Sequence, residues 1–274
     1  MISQKNMMNQ YLIKSQKRIN LSRFDPDDRA CFKGDKDQGI KKFEDLRNQL
    51  IELQNMFYVD GRFQLLIVFQ ALDTGGKDGT IRNIFEGVNP QGVRVASFKK
   101  PTEGELSHDY LWRIHRELPE KGKIVVFNRS HYEDVLVPRV HKLVSADIIK
   151  KRYDHIVQFE KMLADEGMVI LKFYLHISKE EQKNRLQERV DNPRKHWKFN
   201  PDDLKERKFW GDYQAAYETL LSKTSRPHAP WYVIPANGKW YRNLIISEVI
   251  VNRMKQLKLK YPVPTWNPGK IKIT

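Results

Sequence analysis

The 274-residue sequence predicts a three-layer α/β/α fold around a parallel sheet. Three observations point there. Short apolar runs alternate with longer segments of helical periodicity, the pattern of repeated strand–helix–strand units. Two of the runs, KIVVF at 123–127 and MVILKFY at 168–174, are apolar on both faces and belong in the middle of a covered sheet. A third run, 65–69, passes directly into a glycine-rich turn, ALDTGGKDGT, that opens a helix.

Residues 1 to about 37 are polar, with DPDD and KGDKD stretches, and are expected to wrap the surface as an irregular arm. From Gly39 to Phe57, the apolar residues Ile40, Phe43, Leu46, Leu50, Leu53 and Phe57 recur at helical spacing, which predicts an amphipathic helix. Strands are expected at 64–70, 93–98, 123–127, 168–176 and 231–234. Helices are expected near 79–88, 104–117, 146–166, 178–190, 202–224 and 240–258. Residues 38–258 then form one domain, with a lid at about 185–213. The Pro-interrupted, basic tail, 259–274, is expected to be peripheral.

Apolar residues make up 40% of the chain, ample for a core. The formal charge of +15, from 49 Lys and Arg against 34 Asp and Glu, calls for a polyanionic partner. Composition does not choose among nucleic acid, an anionic membrane and a phosphate-rich small molecule. Cys31 is the single cysteine, so no internal disulfide forms and a reducing compartment is expected. The start lacks the apolar centre of a signal peptide, and the longest apolar stretch, 65–72, falls far short of the ~20 residues that span a bilayer. These features predict a cytoplasmic protein. The eight histidines show no metal-ligand spacing, and neither GxSxG nor a Cys/His nucleophile pair is present, which argues against zinc and covalent-hydrolase chemistry.

The turn after the first strand is a variant of the phosphate-binding loop GxxxxGK[ST]. Ala71 takes the place of the first glycine and Asp78 that of the Ser/Thr, with Thr80 two residues later. Gly75, Gly76 and Gly79 let backbone N–H groups approach an anion, the helix start adds its partial positive charge, and Lys77 reaches the phosphates. An ordinary strand-to-helix turn with a surface lysine fits the bare pattern too. Asp73 and Asp78 place carboxylates where phosphates should sit. Asp78, in the usual Ser/Thr place, stands where it can favour the helix start.

A second constellation is IVVFNRSHYED, 124–134, whose polar residues follow a strand and point into the crevice where α/β proteins bind ligands. Where P-loop enzymes usually carry an Asp near Mg²⁺, this chain has Asn128, followed by Arg129, Glu133 and Asp134. A capped, salt-bridged helix start is the plainer reading. The third constellation, 185–213, gathers Arg185, Arg189, Arg194, Lys195, Lys198, Lys205, Arg207 and Lys208 around a DNP break and an FNPDD helix start. Two basic helices joined this way could close over phosphates; a solvated, charged hairpin is the alternative. Trp197, Trp210 and Tyr213 could stack on bases, with core packing expected of at least two.

Four ordered segments carry a resemblance: ALDTGGKDGT; NPQGVRVASFKKPTEGELSHDYLWRIHRELP; IVVFNRSHYEDVLVPRV; and NPRKHWKFNPDDLKERKFWGDY. Together, over about 40–258, the chain resembles the polyphosphate kinase 2 family, and FNRSHYEDVL resembles the form found in its class III subgroup. The resemblance implies a P-loop kinase fold with a mobile helical lid. It implies Mg²⁺-dependent phosphoryl transfer between inorganic polyphosphate and AMP or ADP, with Mn²⁺ as an alternative cation. It also implies a homo-oligomer, dimer or tetramer, with no nucleic acid or membrane as partner.

By position, Asp73 and Lys77 match the family's first-loop Asp and Lys, Arg129 its second-motif Arg, and Arg189 its lid arginine. Lys195 and Lys198 fall in the lid's PxKxWK pattern. The departure is Asn128, where the wider family has Asp; Glu133 is the candidate for the missing carboxylate. On this reading Lys77, Arg129 and Arg189 clamp the phosphates, and Asp73 with Asn128 or Glu133 holds Mg²⁺. Arg82, Arg113, Arg139 and Arg207 are further phosphate-contact candidates. Two rivals remain: an ATP-dependent nucleoside monophosphate kinase of the same fold, and a non-catalytic basic module for nucleic acid or polyphosphate. The first is separated by testing polyphosphate as sole donor. A nucleic-acid module should show RNP-like aromatics or helix-turn-helix spacing, and neither is visible.

Overall fold

The computed structural model describes residues 9–14, 18–271 and 273. All five expected strands form: β1 (Gln64–Gln70), β2 (Val93–Ser97), β3 (Ile124–Asn128), β4 (Met168–His176) and β5 (Trp231–Pro235). They make one parallel sheet in the order β2–β3–β1–β4–β5. The helices are α1 (Lys36–Asp60), α2 (Lys77–Ile84), α3 (Glu103–Leu106), α4 (Trp112–His115), α5 (Glu133–Val140), α6 (Ala146–Asp165), α7 (Lys179–Asp191), α8 (Asp202–Glu206), α9 (Trp210–Thr224) and α10 (Lys239–Gln256).

Alternation along β1 divides the core into two layers. Leu65, Ile67 and Phe69 face α1, α2 and α10, while Leu66 and Val68 face α5, α6 and α9. The long α1 is delimited at both ends by local chemistry. Asp35 and Gln38 form a reciprocal capping box, and Gly61 ends the helix at φ 66°, in the left-handed region that favours glycine.

Three helical expectations change. The segment 104–117 splits into the two short turns α3 and α4, because the Asp109 side chain accepts from the Leu111 amide and closes a local turn between them. The segment 202–224 breaks at a 3₁₀ turn, Arg207–Phe209, whose Arg207 donates to Lys179 O and Gln182 Oε1 at 2.8 Å. Helix α5 was absent from the expected elements because Pro138 lies inside it. The carbonyl of Asp134, which proline's missing N–H leaves free, accepts from Arg152 Nη1 at 2.7 Å.

The N-terminal arm does more than wrap the surface. Val233 N donates to Tyr11 O and Ile13 N to Trp231 O, so the arm pairs antiparallel with β5 and covers that edge of the sheet. Tyr11, Ile13, Leu21 and Cys31 are buried. At the other terminus, Asp60 accepts from the Lys260 amide at 2.7 Å, and beyond it Tyr261, Val263 and Trp266 are exposed. Among the described residues, no helix is long and apolar enough to cross a membrane.

Candidate active site

A cleft of about 910 Å³ opens along the carboxyl ends of the strands, where the β1–α2 loop, the end of β3, the lid and the start of α10 converge. The register carries β1 and β3 forward together, with Phe69 beside Asn128, and the Arg129 amide donates to Phe69 O. Thr74 and Arg129, which leave these two strands, sit at φ 61° and 63°, a sparsely populated conformation for non-glycine residues. Gly76 follows at φ 95°, and α2 starts at Lys77.

Lys77 is buried, its Nζ donating to Ala71 O at 3.0 Å, inside its own loop. Burial, and next the Arg129 cation, push its ammonium down to about 8; Asp73, Glu133 and Asp78 oppose the shift. Across the floor, Arg129 Nη2 is 2.7 Å from Asp73 Oδ1. Asn128 Nδ2 donates to Asp78 Oδ1, which leaves the side-chain oxygen Asn128 Oδ1 without a partner among the described residues. Asp78 is thus held by the end of β3 as well as standing in the first turn of α2.

From above, the lid brings in Arg189, Lys195 and Lys198. Arg189 donates to Lys198 O at 3.0 Å and pairs with Asp203 at 3.2 Å. Burial, and next the negative charge of Asp73, push the Asp203 carboxyl up to about 6 against the pull of Arg189. Lys195 pairs with Glu188 at the mouth. Trp197 lines the cleft and is 79% exposed, whereas Trp210 and Tyr213 pack against the core.

Gly75, Gly79 and Arg82 also line the cleft, but five of the expected residues do not. Thr80 is fully buried, its hydroxyl donating to Gly76 O within the helix. Arg113 is an internal bolt, donating to Lys99 O and facing Glu105 and Asp134 at 3.7 and 3.6 Å. Arg139 reaches Tyr153 Oη, and Arg207 is taken by the start of α7. Glu133 lies behind the floor. Burial raises its carboxyl, while Arg129 and Lys77, its nearest cations, pull it back.

Several lining residues escaped sequence reasoning: Asn83, Ser97, Phe98, Lys99, Asp203, Lys239, Trp240, Arg242 and Asn243. Lys99 was legible as part of the second recognised segment. The α10 residues carry no local pattern, since only the β5 crossover brings them to the loop.

Behind the floor lies a fully buried ion network. Lys172 Nζ on β4 donates to Glu160 Oε2 at 2.5 Å, Tyr132 Oη at 2.8 Å and Thr224 O at 3.0 Å. Tyr132 Oη donates to Glu160 Oε1 at 2.8 Å, and His131 Nε2 lies 3.3 Å from the same oxygen. Burial alone would raise Glu160; Lys172 and His131 hold it below the usual carboxylate range. The network ties α6, β4 and the end of α9 to residues 131 and 132, directly between Arg129 and Glu133.

Among the described residues, no group of three or more His, Cys, Asp or Glu side chains is gathered to cage a metal. The donors at hand are hard oxygens: Asp73, whose Oδ2 makes no hydrogen bond among the described residues, the Asn128 side-chain oxygen and Glu133. That set fits Mg²⁺, which takes one or two carboxylates and completes its shell with substrate phosphates and water. It does not fit an ion enclosed wholly by protein.

Residues 33–262 match the family model described as polyphosphate kinase 2. The chain is 54% identical over 266 residues to the AMP/ADP-polyphosphate phosphotransferase of Meiothermus ruber, covering 97% of this chain and 100% of that one. It is 46% identical over 229 residues to the ADP-polyphosphate phosphotransferase of Rhodopseudomonas palustris, covering 79% of each. The crystal structure of polyphosphate kinase 2 from Arthrobacter aurescens TC1 superposes with a TM-score of 0.90 at 38% identity, covering 94% of this chain and 95% of that one.

Proposed function

The chain belongs to the polyphosphate kinase 2 family, and from that premise we propose that it transfers phosphoryl groups from inorganic polyphosphate to AMP and ADP, giving ADP and ATP. The observation that carries the reading is the charge of the cleft: ten Lys and Arg side chains face four carboxylates around one phosphate-binding loop. Such an excess suits two substrates that both bring phosphates to the reacting atoms. The 54% identity to an AMP/ADP-polyphosphate phosphotransferase supports the choice of donor and acceptors.

Phosphoryl transfer asks little covalent chemistry of the protein; positioning and neutralisation of charge do most of the work. The backbone amide at Gly76 and the start of α2 cradle the donor phosphates, while the Gly75 amide is held by Leu72 O at 3.0 Å. Lys77 and Arg129 flank the transferred group from the floor, and Arg189 closes on it from the lid. Asp73, with Asn128 or Glu133, would hold Mg²⁺, which would supply positive charge to offset that of the phosphates. Asp73 also competes with phosphate for Arg129 in the free protein. The attacking phosphate, with a second pKa of about 6, is already ionised at neutral pH and needs no strong base.

The proposed setting is the cytoplasm, with the chain assembled as a dimer or tetramer, to be checked by light scattering on the purified protein. The test of function is one incubation with Mg²⁺, polyphosphate as sole donor, and AMP or ADP. ADP and ATP are expected from AMP. Phosphorylation of AMP with ATP but not with polyphosphate would instead identify an ATP-dependent nucleotide kinase.

A further inference from the structure

Arg242 enters the cleft from an element that no phosphate-binding pattern in the sequence includes. It stands in the first turns of the 18-residue α10 and is 2% exposed. Its Nε and Nη2 both donate to Asn243 Oδ1, at 3.2 and 3.1 Å. Its Nη1 has no hydrogen-bond partner among the described residues, and no carboxylate there pairs with it. That open nitrogen faces the phosphate-binding loop: a Cβ added at Gly76 would collide with it and would lie 3.3 Å from Arg185 Nη1.

The two neighbouring guanidiniums play different parts. Arg185 is tied down on every side, to Glu181 at 2.6 Å, Thr74 O at 3.1 Å, Ala236 O at 2.6 Å and Asn237 O at 3.2 Å. Arg242 is buried beside that cation without a counter-charge among the described residues, an arrangement that is unfavourable unless an anion offsets it. Burial, and next Arg185, push the Arg242 guanidinium down to about 9, the direction expected of a cation lacking its partner. Lys239 and Asn243 line the same end of the cleft, and α10 begins at Gly238 with no side-chain cap on its amides. At the opposite end Asn83, Ser97, Phe98 and Asn128 offer neutral groups to a base and sugar, with Arg82 and Lys99 beside them.

We propose that Arg242, with Asn243 and Lys239 beside Arg185, forms a subsite for donor phosphates beyond the one being transferred, so that a linear polyphosphate runs from the Gly76 loop towards α10. This rests on polyphosphate being the donor. The nucleotide then enters from the β2–β3 end, and glycine suits position 76 because its φ of 95° strains any side chain and an added Cβ would meet the Arg242 guanidinium.

The test compares wild type, Arg242→Gln and Arg242→Lys with triphosphate and with longer polyphosphates of defined length, ADP being the acceptor. In the wild type, donor KM is expected to fall with chain length as the subsite fills. In Arg242→Gln the KM for long chains should rise at least tenfold and lose most of its length dependence, while the KM for ADP moves less than twofold. Arg242→Lys, which keeps the charge, should recover part of the length dependence. An unchanged length dependence in Arg242→Gln overturns the proposal, as does an equal rise in both KM values, which would make Arg242 a prop for the loop. If the wild type makes no nucleotide from polyphosphate, the reading of donor fails instead. Calorimetric titration of the same proteins with triphosphate and a long chain, without nucleotide, then still decides whether Arg242 binds the chain.

Discussion

Asp73 and Arg129 meet at 2.7 Å across the floor of the cleft, each leaving the carboxyl end of a different central strand. The pair neutralises itself in the free protein; in the proposed reaction phosphate would take Arg129 and a cation would take Asp73. Asp73→Asn removes the proposed metal ligand but keeps the hydrogen bond. Turnover is expected to drop on the order of 10²-fold, with half-saturation moved to higher Mg²⁺. A Mg²⁺ titration that superposes on wild type would rule out Asp73 as a ligand.

Lys77 makes activity and stability respond oppositely to alkaline pH. Its native value of about 8 lies below the ordinary lysine value of 10.5. The phosphate-binding cation is therefore present below about 8 and lost as pH rises through it, so kcat/KM for polyphosphate should fall with an apparent pKa near 8. Between about 8 and 10.5 the unfolded chain binds the extra proton, so this group's contribution to stability rises over the same window. Lys77→Arg, protonated throughout, should lose the alkaline limb. A limb that persists in Lys77→Arg assigns the titration elsewhere.

Asp203 pairs with Arg189 at 3.2 Å and, on the proposed function, would compete with phosphate for it. Asp203→Asn should free the lid arginine and lower the KM for polyphosphate about threefold to fivefold, near the ~1 kcal/mol expected of a partly exposed charged pair. Steady-state kinetics at low ionic strength reads this directly. A raised KM would mean that Asp203 orders the lid rather than restraining it.

Glu133 sits one turn past β3, behind Arg129 and Lys77. Glu133→Gln is expected to alter the ratio of AMP to ADP phosphorylation while the protein keeps its melting temperature within a few degrees. Equal retention of both activities would remove Glu133 from the site.

The Lys172–Glu160 pair is a structural prediction. Lys172→Met leaves Glu160 buried without its cation and should destabilise by about 3–5 kcal/mol in urea unfolding. The double variant Lys172→Met, Glu160→Met should recover much of the loss. Because Tyr132 and His131 hang on this network, the single variant should also lower turnover by disordering the loop that presents Arg129.

Strands β1, β3, β4 and β5 were legible because burial on both faces demands continuous apolar runs, whereas the edge strand β2, exposed at Arg94, Val95 and Ser97, is a shorter and interrupted run. The loop holding Asp73, Gly76 and Lys77 was legible because close approach of backbone to an anion restricts residue type locally. Local pattern misled at Thr80, whose hydroxyl turns into its own helix, and at Arg113, Arg139 and Arg207, which spend their charge on internal partners. Basic character alone cannot tell a bolt from a phosphate contact.

By itself the sequence determined the sheet, the phosphate-binding loop, the basic lid and, through ordered motifs, the family, since each is written in neighbouring residues. Only the tertiary structure decided which cations face the cleft. Arg242 lies 165 residues beyond Lys77, and the parallel crossover that places β5 beside β4 is what carries it to Gly76. Whether a guanidinium is open or already bound depends on partners far off in the chain, and no local spacing records them.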